Sequence, residues 1–155
     1  MPHLVEIGPG NFPVYAEDIL DIERASFPSP WSANAFKAET EKHISHLWVL
    51  ISDGMVAGYI CFWMLENEIQ LINLAVHPEK RGNCFGQFLL TRMIEKGVSK
   101  GIRHIWLEVR PSNSGARRLY KKMGFIETGI RPKYYSETKE DAIVMSLKLS
   151  INGDS

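Results

Sequence analysis

Apolar residues recur along this chain at two spacings, one typical of strands and one typical of helices. The run from Leu71 to Val76 is almost continuously apolar, which predicts a strand that is buried on both faces. Residues 102–110 alternate between apolar and polar side chains, as in a strand with one buried face. Between these strands, apolar residues near helical spacing predict a helix that begins near Phe85. A strand, a helix and a second strand in this order predict a parallel pair of strands.

The same two spacings predict the other elements of one α/β domain. Helices are expected over 16–26, from an N-cap at Ser32 to about Glu41, and from Asn113 to Gly124, and strands over 47–52, 55–65, 69–76, 125–130 and 142–149. Asp53-Gly54 lies between two of these strands and is a strong signal for a tight hairpin. Residues 131–139 are predicted to form a polar loop. We expect the domain to span residues 1–150 and a disordered tail to follow at 151–155.

Composition and charge exclude several classes of protein. The chain has 155 residues, 45% of them hydrophobic, which suits one domain with one core. Eighteen basic and eighteen acidic side chains cancel, so no net field favours nucleic acid or an anionic membrane. Two cysteines make no disulfide framework and the five histidines form no recognisable ligand set, so no metal site is expected. Neither a signal peptide nor an apolar run of membrane-spanning length is visible, and we expect a cytoplasmic protein.

The loop that follows the strand 71–76 has features of a phosphate-binding loop. It is basic and contains two glycines between Lys80 and Gly86, and the predicted helix starts at its end. Unpaired backbone N–H groups and the helix dipole favour an anion at such a helix N-terminus. The residues alone leave two interpretations open, a phosphate site and an ordinary strand-to-helix connection.

Three segments of the chain resemble the GNAT acetyltransferase superfamily, and within it the RimI-type ribosomal-protein-alanine N-acetyltransferases. The segments are LINLAVHPEKRGNCFG (71–86), WLEVRPSNSGARRLYKKMGF (106–125) and RPKYYSETKEDAIVMSL (131–147). The resemblance extends from Pro30 to Leu147. It implies the GNAT fold, in which a central mixed, mostly antiparallel sheet contains a splayed pair of parallel strands and carries about four flanking helices.

The resemblance also implies a site for acetyl-CoA and for a peptide amine. The acetyl-CoA contacts would be Leu74, Ala75, Val76, Gly82, Asn83, Cys84, Phe85, Gly86, Gln87 and Asn113. Glu108 matches the general base of the family and Tyr120 matches its general acid. Trp31, Tyr134 and Tyr135 match the walls of the peptide channel. No metal takes part in this chemistry.

One position departs from the family pattern. The pyrophosphate motif of the family has a glycine where this chain has Cys84, and a glycine occurs two positions earlier at Gly82. Glycine lets the backbone approach a phosphate without an intervening Cβ. Cysteine is small, and we expect it to be tolerated if its φ angle is negative.

Simpler interpretations exist for the site residues when their flanking motifs are ignored. Glu108 suits a solvated strand position, Tyr120 lies on the apolar stripe of a helix, and Trp31 and Tyr134 suit packing. Within the resemblance, the implied function is acetylation of the N-terminal alanine of a small-subunit ribosomal protein by a monomer or weak oligomer. The alternatives are an enzyme that acts on other protein N-termini or on a small amine, and a non-catalytic acyl-CoA-binding module.

Overall fold

The computed structural model describes residues 1–135 and 139–150, with the backbone alone at Lys133 and Tyr135. In these ranges the elements are, in chain order, β1 (His3–Ile7), α1 (Phe12–Ser26), α2 (Ala33–Thr40), β2 (Ser45–Ser52), β3 (Met55–Leu65), β4 (Glu68–Val76), α3 (Phe85–Ser99), β5 (His104–Val109), α4 (Ser114–Lys122), β6 (Ile126–Tyr135) and β7 (Glu140–Lys148). A short 3-10 turn, Pro78–Lys80, follows β4. The predicted tail at 151–155 lies outside the described residues. No helix within these ranges is long and apolar enough to cross a membrane.

The strands described above form one sheet in the order β1-β2-β3-β4-β5-β7-β6. Its neighbours pair antiparallel except β4 and β5, which are parallel, as the strand–helix–strand pattern predicts. Asp53 and Gly54 form the predicted hairpin turn between β2 and β3. Both have positive φ angles, 53° and 74°, as a type I′ turn requires. A mixed, mostly antiparallel sheet with four flanking helices in the described chain is the fold that the resemblance implies.

Helices cover both faces of the sheet, because the central strands send alternate apolar side chains into two cores. Leu47 and Val49 of β2 lie in the core under α1 and α2, whereas Trp48 and Leu50 lie in the core under α3 and α4. The predicted apolar stripes of β5, β7 and α4 all belong to this second core. The periodicities in the sequence therefore identified the buried faces of these three elements.

β4 and β5 separate after a short stretch of pairing. Their parallel register covers Glu68–Leu71 and His104–Leu107, although β4 continues to Val76. On its other edge, β4 carries Ile72 as an extra residue against β3, because Asn73 pairs with Cys61 while Leu71 pairs with the next residue of β3. The splay opens a gap at the carboxyl ends of β4 and β5. In open sheets this end of the strands is where ligands bind.

The ends of α3 and α4 follow the sequence signals. Gly101 (φ 77°) and Gly124 (φ 101°) follow the C-cap residues Lys100 and Met123 and have the left-handed conformation. The residue after each glycine donates its backbone N–H to a carbonyl five positions earlier, at 2.9 Å in both cases. At the other end of α4, the side chain of Asn113 accepts a hydrogen bond from the backbone N–H of Ala116 at 3.2 Å.

The structure differs from the sequence-based prediction at three places. β1 (His3–Ile7) is an additional strand, which pairs with β2 at the edge of the sheet. α1 begins at Phe12, four residues before its predicted start, and has Pro13 in its first turn, where no N–H is needed. β6 runs to Tyr135 instead of ending at Ile130 before a polar loop, because β7 supplies its hydrogen-bond partners.

Candidate active site

Two cavities lie at the gap between β4 and β5, and they share part of their lining. The inner cleft, with a volume of about 390 Å³, lies between the α1–α2 link, β4 and β5. The outer groove, with a volume of about 620 Å³, lies between β4, the loop 81–87 and α4. The residues that line both are Phe27, Leu74, Asn113, Ala116 and Tyr120. A ligand in the groove can therefore meet a second ligand in the cleft.

The outer groove brings together most of the predicted acetyl-CoA contacts. Those that line it are Leu74, Ala75, Val76, Gly82, Cys84, Phe85, Gly86, Gln87 and Asn113. Asn83 is not among the lining residues, and its side-chain amide donates to the carbonyl of Lys80 at 3.0 Å. A Cβ on Gly86 would lie 3.0 Å from the side chain of Leu119. The close packing of α3 against α4 beside the groove therefore favours glycine at position 86.

The charged residues that line the outer groove are all basic. Its basic lining residues are Arg81, Arg118 and Lys122. On the same helix α4, Arg117 and Lys121 instead contact the carboxylate of Glu127, at 3.0 and 3.4 Å. Two cations of α4 thus face the groove, whereas Glu127 pairs with the other two. Because α3 also begins at this groove, its dipole adds to the attraction for an anion.

The two catalytic candidates both line the inner cleft. Glu108 lies on β5 with its side chain 12% exposed, and its carboxylate oxygens are 3.2 and 3.4 Å from Nη1 of Arg131 on β6. Tyr120 is buried on α4, and its ring lies against that of Phe125 with the centroids 5.8 Å apart. Glu108 is therefore not a freely solvated strand residue, and Tyr120 belongs to the core while it also borders both cavities.

Two of the predicted channel residues also line the inner cleft. Trp31 packs against Phe36 of α2, with ring centroids 5.1 Å apart. Tyr134 carries the guanidinium of Arg131 over its ring at 4.1 Å. The side chain of Tyr135, the third predicted channel residue, lies outside the described residues. Arg131 thus connects one channel residue to the carboxylate of Glu108.

The family of the chain follows from a comparison with known proteins. Residues 16–125 match the model of the Acetyltransferase (GNAT) family. This chain belongs to the GNAT acetyltransferase family. The donor substrate of these enzymes is acetyl-CoA, and the basic residues Arg81, Arg118 and Lys122 line the outer groove of this GNAT enzyme.

Relatives of this GNAT enzyme have names that give a substrate. It is 35% identical over 133 residues to the [ribosomal protein bS18]-alanine N-acetyltransferase of Escherichia coli (strain K12), which covers 84% of this chain and 88% of that protein. It is 39% identical over 130 residues to a Bacillus subtilis (strain 168) protein to which the same activity is provisionally assigned, covering 83% and 86% of the two chains. The crystal structure of the ribosomal-protein-S18-alanine N-acetyltransferase from Escherichia coli superposes with a TM-score of 0.86 at 30% identity, covering 100% and 98%.

The backbone at Cys84, in the loop before α3, does not meet the condition stated for a tolerated cysteine. Cys84 is the N-cap of α3 with φ 61° and ψ 25°, so it does not have the negative φ on which its tolerance was expected to depend. Its thiol is exposed, and its side chain makes no capping hydrogen bond. The backbone is therefore left-handed at the position where the family has glycine. Glycine adopts this conformation freely, whereas cysteine adopts it at an energetic cost because it has a Cβ.

Two residues are absent from the sequence-based site: Glu23, which lines the inner cleft, and Arg131, which contacts Glu108. Glu23 on α1 is buried and lines the cleft, and it lies four positions after the buried Ile19. A carboxylate on the apolar face of a helix is the local signal that points to it. Arg131 has no such signal, because its contact with Glu108 depends on how β6 and β7 pair.

Proposed function

We propose that this GNAT enzyme transfers the acetyl group of acetyl-CoA to the N-terminal alanine of a small-subunit ribosomal protein, bS18. The observation that carries the proposal is the junction of the two cavities, where Glu108 lines the cleft and Tyr120 borders both cleft and groove. The names of relatives at 35% and 39% identity support the choice of substrate. A ribosomal-protein substrate would place the reaction in the cytoplasm. Residues 1–150 would form one acetyltransferase domain, since one sheet contains the described strands.

The outer groove is the proposed binding site of acetyl-CoA. Its cations and the first turn of α3 suit a pyrophosphate, because helix N-termini present unpaired N–H groups to anions. The splayed segment of β4, from Ile72 to Val76, would offer main-chain groups to the pantetheine arm. When bound, acetyl-CoA supplies a thioester whose carbonyl carbon an amine can attack. A backbone N–H of the splayed segment would polarise that carbonyl.

Glu108 is the proposed general base. A peptide α-amine has a pKa of about 8, so at neutral pH most of it must lose a proton before it can attack. The carboxylate of Glu108 accepts this proton, directly or through a water molecule. Its contact with Arg131 holds the carboxylate in a defined orientation within the cleft.

Tyr120 is the proposed general acid. As the amine nitrogen bonds to the acetyl carbon and the C–S bond breaks, the hydroxyl of Tyr120 donates a proton to the sulfur. A thiol has a pKa of about 8.5 and a phenol one of about 10, and this small difference allows the phenol to donate a proton to the departing thiolate when the two groups are in hydrogen-bond contact. Tyr120 suits this role because it borders both cavities. The phenol regains a proton before the next turnover.

The lining of the inner cleft favours a peptide over a small amine. Trp31 and Tyr134 provide aromatic surface along it, and aromatic walls can hold an extended chain while its terminal amine stays free. The proposed substrate is accordingly a protein N-terminus. Nucleic acid and membrane are not proposed as partners, and the proposed active species is a monomer or weak oligomer.

A thiol-release assay with acetyl-CoA and a panel of N-terminal peptides tests the proposal. Turnover confined to peptides that begin with alanine supports it. Turnover of many N-termini or of small amines assigns the broader GNAT activity instead, and no turnover assigns a non-catalytic acyl-CoA-binding module. The matched control is the same alanine peptide with an acetylated N-terminus, which has no amine to react.

A further inference from the structure

Glu23 is a buried carboxylate at the inner cleft that the proposed chemistry does not use. It is 1% exposed and lies on α1. One carboxylate oxygen accepts hydrogen bonds from the hydroxyl of Tyr59 and from Nδ2 of Asn73, the latter at 2.8 Å. The other oxygen accepts the backbone N–H of Trp31 at 2.9 Å. A buried carboxylate is stable only when such donors satisfy it, and each donor here comes from a different part of the chain.

The three donors belong to the parts of the fold that shape the cleft. Trp31 lies in the link between α1 and α2, which lines the cleft, and Asn73 lies in the splayed segment of β4 directly after the bulge at Ile72. Tyr59 lies on β3 beneath them. Glu23 therefore connects the channel residue Trp31 to β4, which forms another wall of the inner cleft.

The link itself has few other ways to hold Trp31 in place. Pro28 and Pro30 lack a backbone N–H, so in 28–31 only two residues can donate from the main chain. One of these, Trp31, donates to Glu23. The ring of Trp31 also packs against Phe36, which fixes its side chain but leaves its main chain dependent on the carboxylate.

The protonation states agree with this arrangement of donors and acceptors. Burial raises the pKa of the Glu23 carboxyl, and the hydrogen bonds from Tyr59, Trp31 and Asn73 oppose that rise. Burial and the neighbouring Glu23 raise the pKa of Tyr59, so its hydroxyl keeps its proton and donates it. No ion pair to Glu23 is found among the described side chains, which leave out Lys133 and Tyr135, and the polar contacts of its carboxylate there are these hydrogen bonds.

We propose that Glu23 is a positioning residue for the peptide substrate, which holds the Trp31 segment against the splayed strand and so sets the width of the inner cleft. The proposal rests on the proposed function, because it assumes that a peptide occupies this cleft. It predicts that loss of the carboxylate weakens peptide binding much more than acetyl-CoA binding, since none of the three donors to the Glu23 carboxylate lines the outer groove.

Glu39 provides a matched control on the same side of the sheet. It is 4% exposed on α2 and accepts hydrogen bonds from Ser45 Oγ at 2.8 Å, Trp63 Nε1 at 2.6 Å and Lys42 Nζ at 2.5 Å. It lines neither the inner cleft nor the outer groove. A purely structural role of a buried carboxylate should therefore appear equally in variants of Glu23 and Glu39.

The decisive comparison is Glu23→Gln against Glu39→Gln. Glutamine has one acceptor oxygen, so Glu23→Gln cannot accept from Trp31 and from the Tyr59–Asn73 pair together. We expect the KM for the alanine peptide to rise about fivefold or more, while the Kd for acetyl-CoA changes less than about twofold. Glu39→Gln is expected to lower the Tm about as much as Glu23→Gln does, but to leave the peptide KM unchanged.

A second measurement follows the Trp31 amide without needing turnover. Hydrogen exchange of the segment 28–32 should accelerate about tenfold or more in Glu23→Gln and stay unchanged in Glu39→Gln. If Glu23→Gln does not fold, Tyr59→Phe removes one donor, keeps the Trp31 bond and should raise the peptide KM by a smaller factor. If the wild type is active and Glu23→Gln has a normal peptide KM, the positioning role of Glu23 is refuted and the proposed function is not. A wild type that turns over no peptide instead refutes the proposed function, whereas unchanged exchange at 28–32 refutes the hydrogen-bond argument itself.

Discussion

Cys84, in the proposed acetyl-CoA site, has a backbone conformation that a residue with a Cβ disfavours. It caps α3 in the left-handed region, with φ 61° and ψ 25°. Its side chain makes no capping bond and its thiol is exposed, so a change to glycine removes no hydrogen bond from the folded protein. It lines the outer groove, so the same change also removes a Cβ from the surface that would face the pyrophosphate.

The expected gain in stability from Cys84→Gly is the difference of two terms. A residue with a Cβ costs roughly 1–2 kcal/mol in the left-handed conformation. Glycine adds flexibility to the unfolded chain, which costs about 0.5–1 kcal/mol. The free energy of unfolding should therefore rise by about 0–1.5 kcal/mol, which corresponds to roughly 0–6 °C in Tm for a chain of this length.

Glu66→Gly is the matched control for this change. Glu66 also has a positive φ of 56°, is exposed, and lies in the turn between β3 and β4, outside the outer groove. Both variants should gain similar stability in thermal denaturation, whereas only Cys84→Gly should affect acetyl-CoA, with a Kd equal to or lower than that of the wild type by calorimetry. A clear loss of acetyl-CoA affinity in Cys84→Gly, or a Tm that falls while Glu66→Gly rises, would refute the reasoning.

Three further predictions concern the proposed chemistry and the splayed strand. Glu108→Gln should lower turnover about 10²-fold or more and leave acetyl-CoA binding intact, because general base catalysis commonly contributes a factor of this size. Unchanged turnover would remove Glu108 from the mechanism. Tyr120→Phe should slow the chemical step in single-turnover experiments, and a lower Tm with a normal rate would leave Tyr120 only its place in the core. Gly58→Ala would put a Cβ 2.7 Å from the carbonyl oxygen of Ala75 on β4, so we expect about 1–3 kcal/mol of destabilisation in urea unfolding and weaker acetyl-CoA binding. Normal affinity in a folded Gly58→Ala protein would show that this strand does not bind the pantetheine arm.

Local patterns in the sequence were sufficient to predict most of the helices and strands. The hairpin at Asp53-Gly54 and the cap of α4 at Asn113 each depend on a few adjacent residues and on conformations that those residues favour. The parallel relation of β4 and β5 followed from the helix between them. The order of these elements and the motifs along them also carried the resemblance to the GNAT family, which the comparisons confirm.

Features that depend on distant pairing required the tertiary structure. β1 is short and is held by β2, about forty residues away along the chain, and β6 continues past its own local signal because β7 lies beside it. The left-handed φ of Cys84 is likewise set by the path from β4 into α3 and not by the preference of cysteine.

The chemistry of the site divides in the same way. By itself, the sequence determined which segments carry the candidate residues, since spacing and motif are local, and it named Glu108 and Tyr120 through the family resemblance. Only the folded chain joined the inner cleft to the outer groove, set Arg131 against Glu108 and surrounded Glu23 with donors from 8, 36 and 50 residues away. Hydrogen bonds over such separations form only after the sheet has brought the elements together, so no local pattern encodes them.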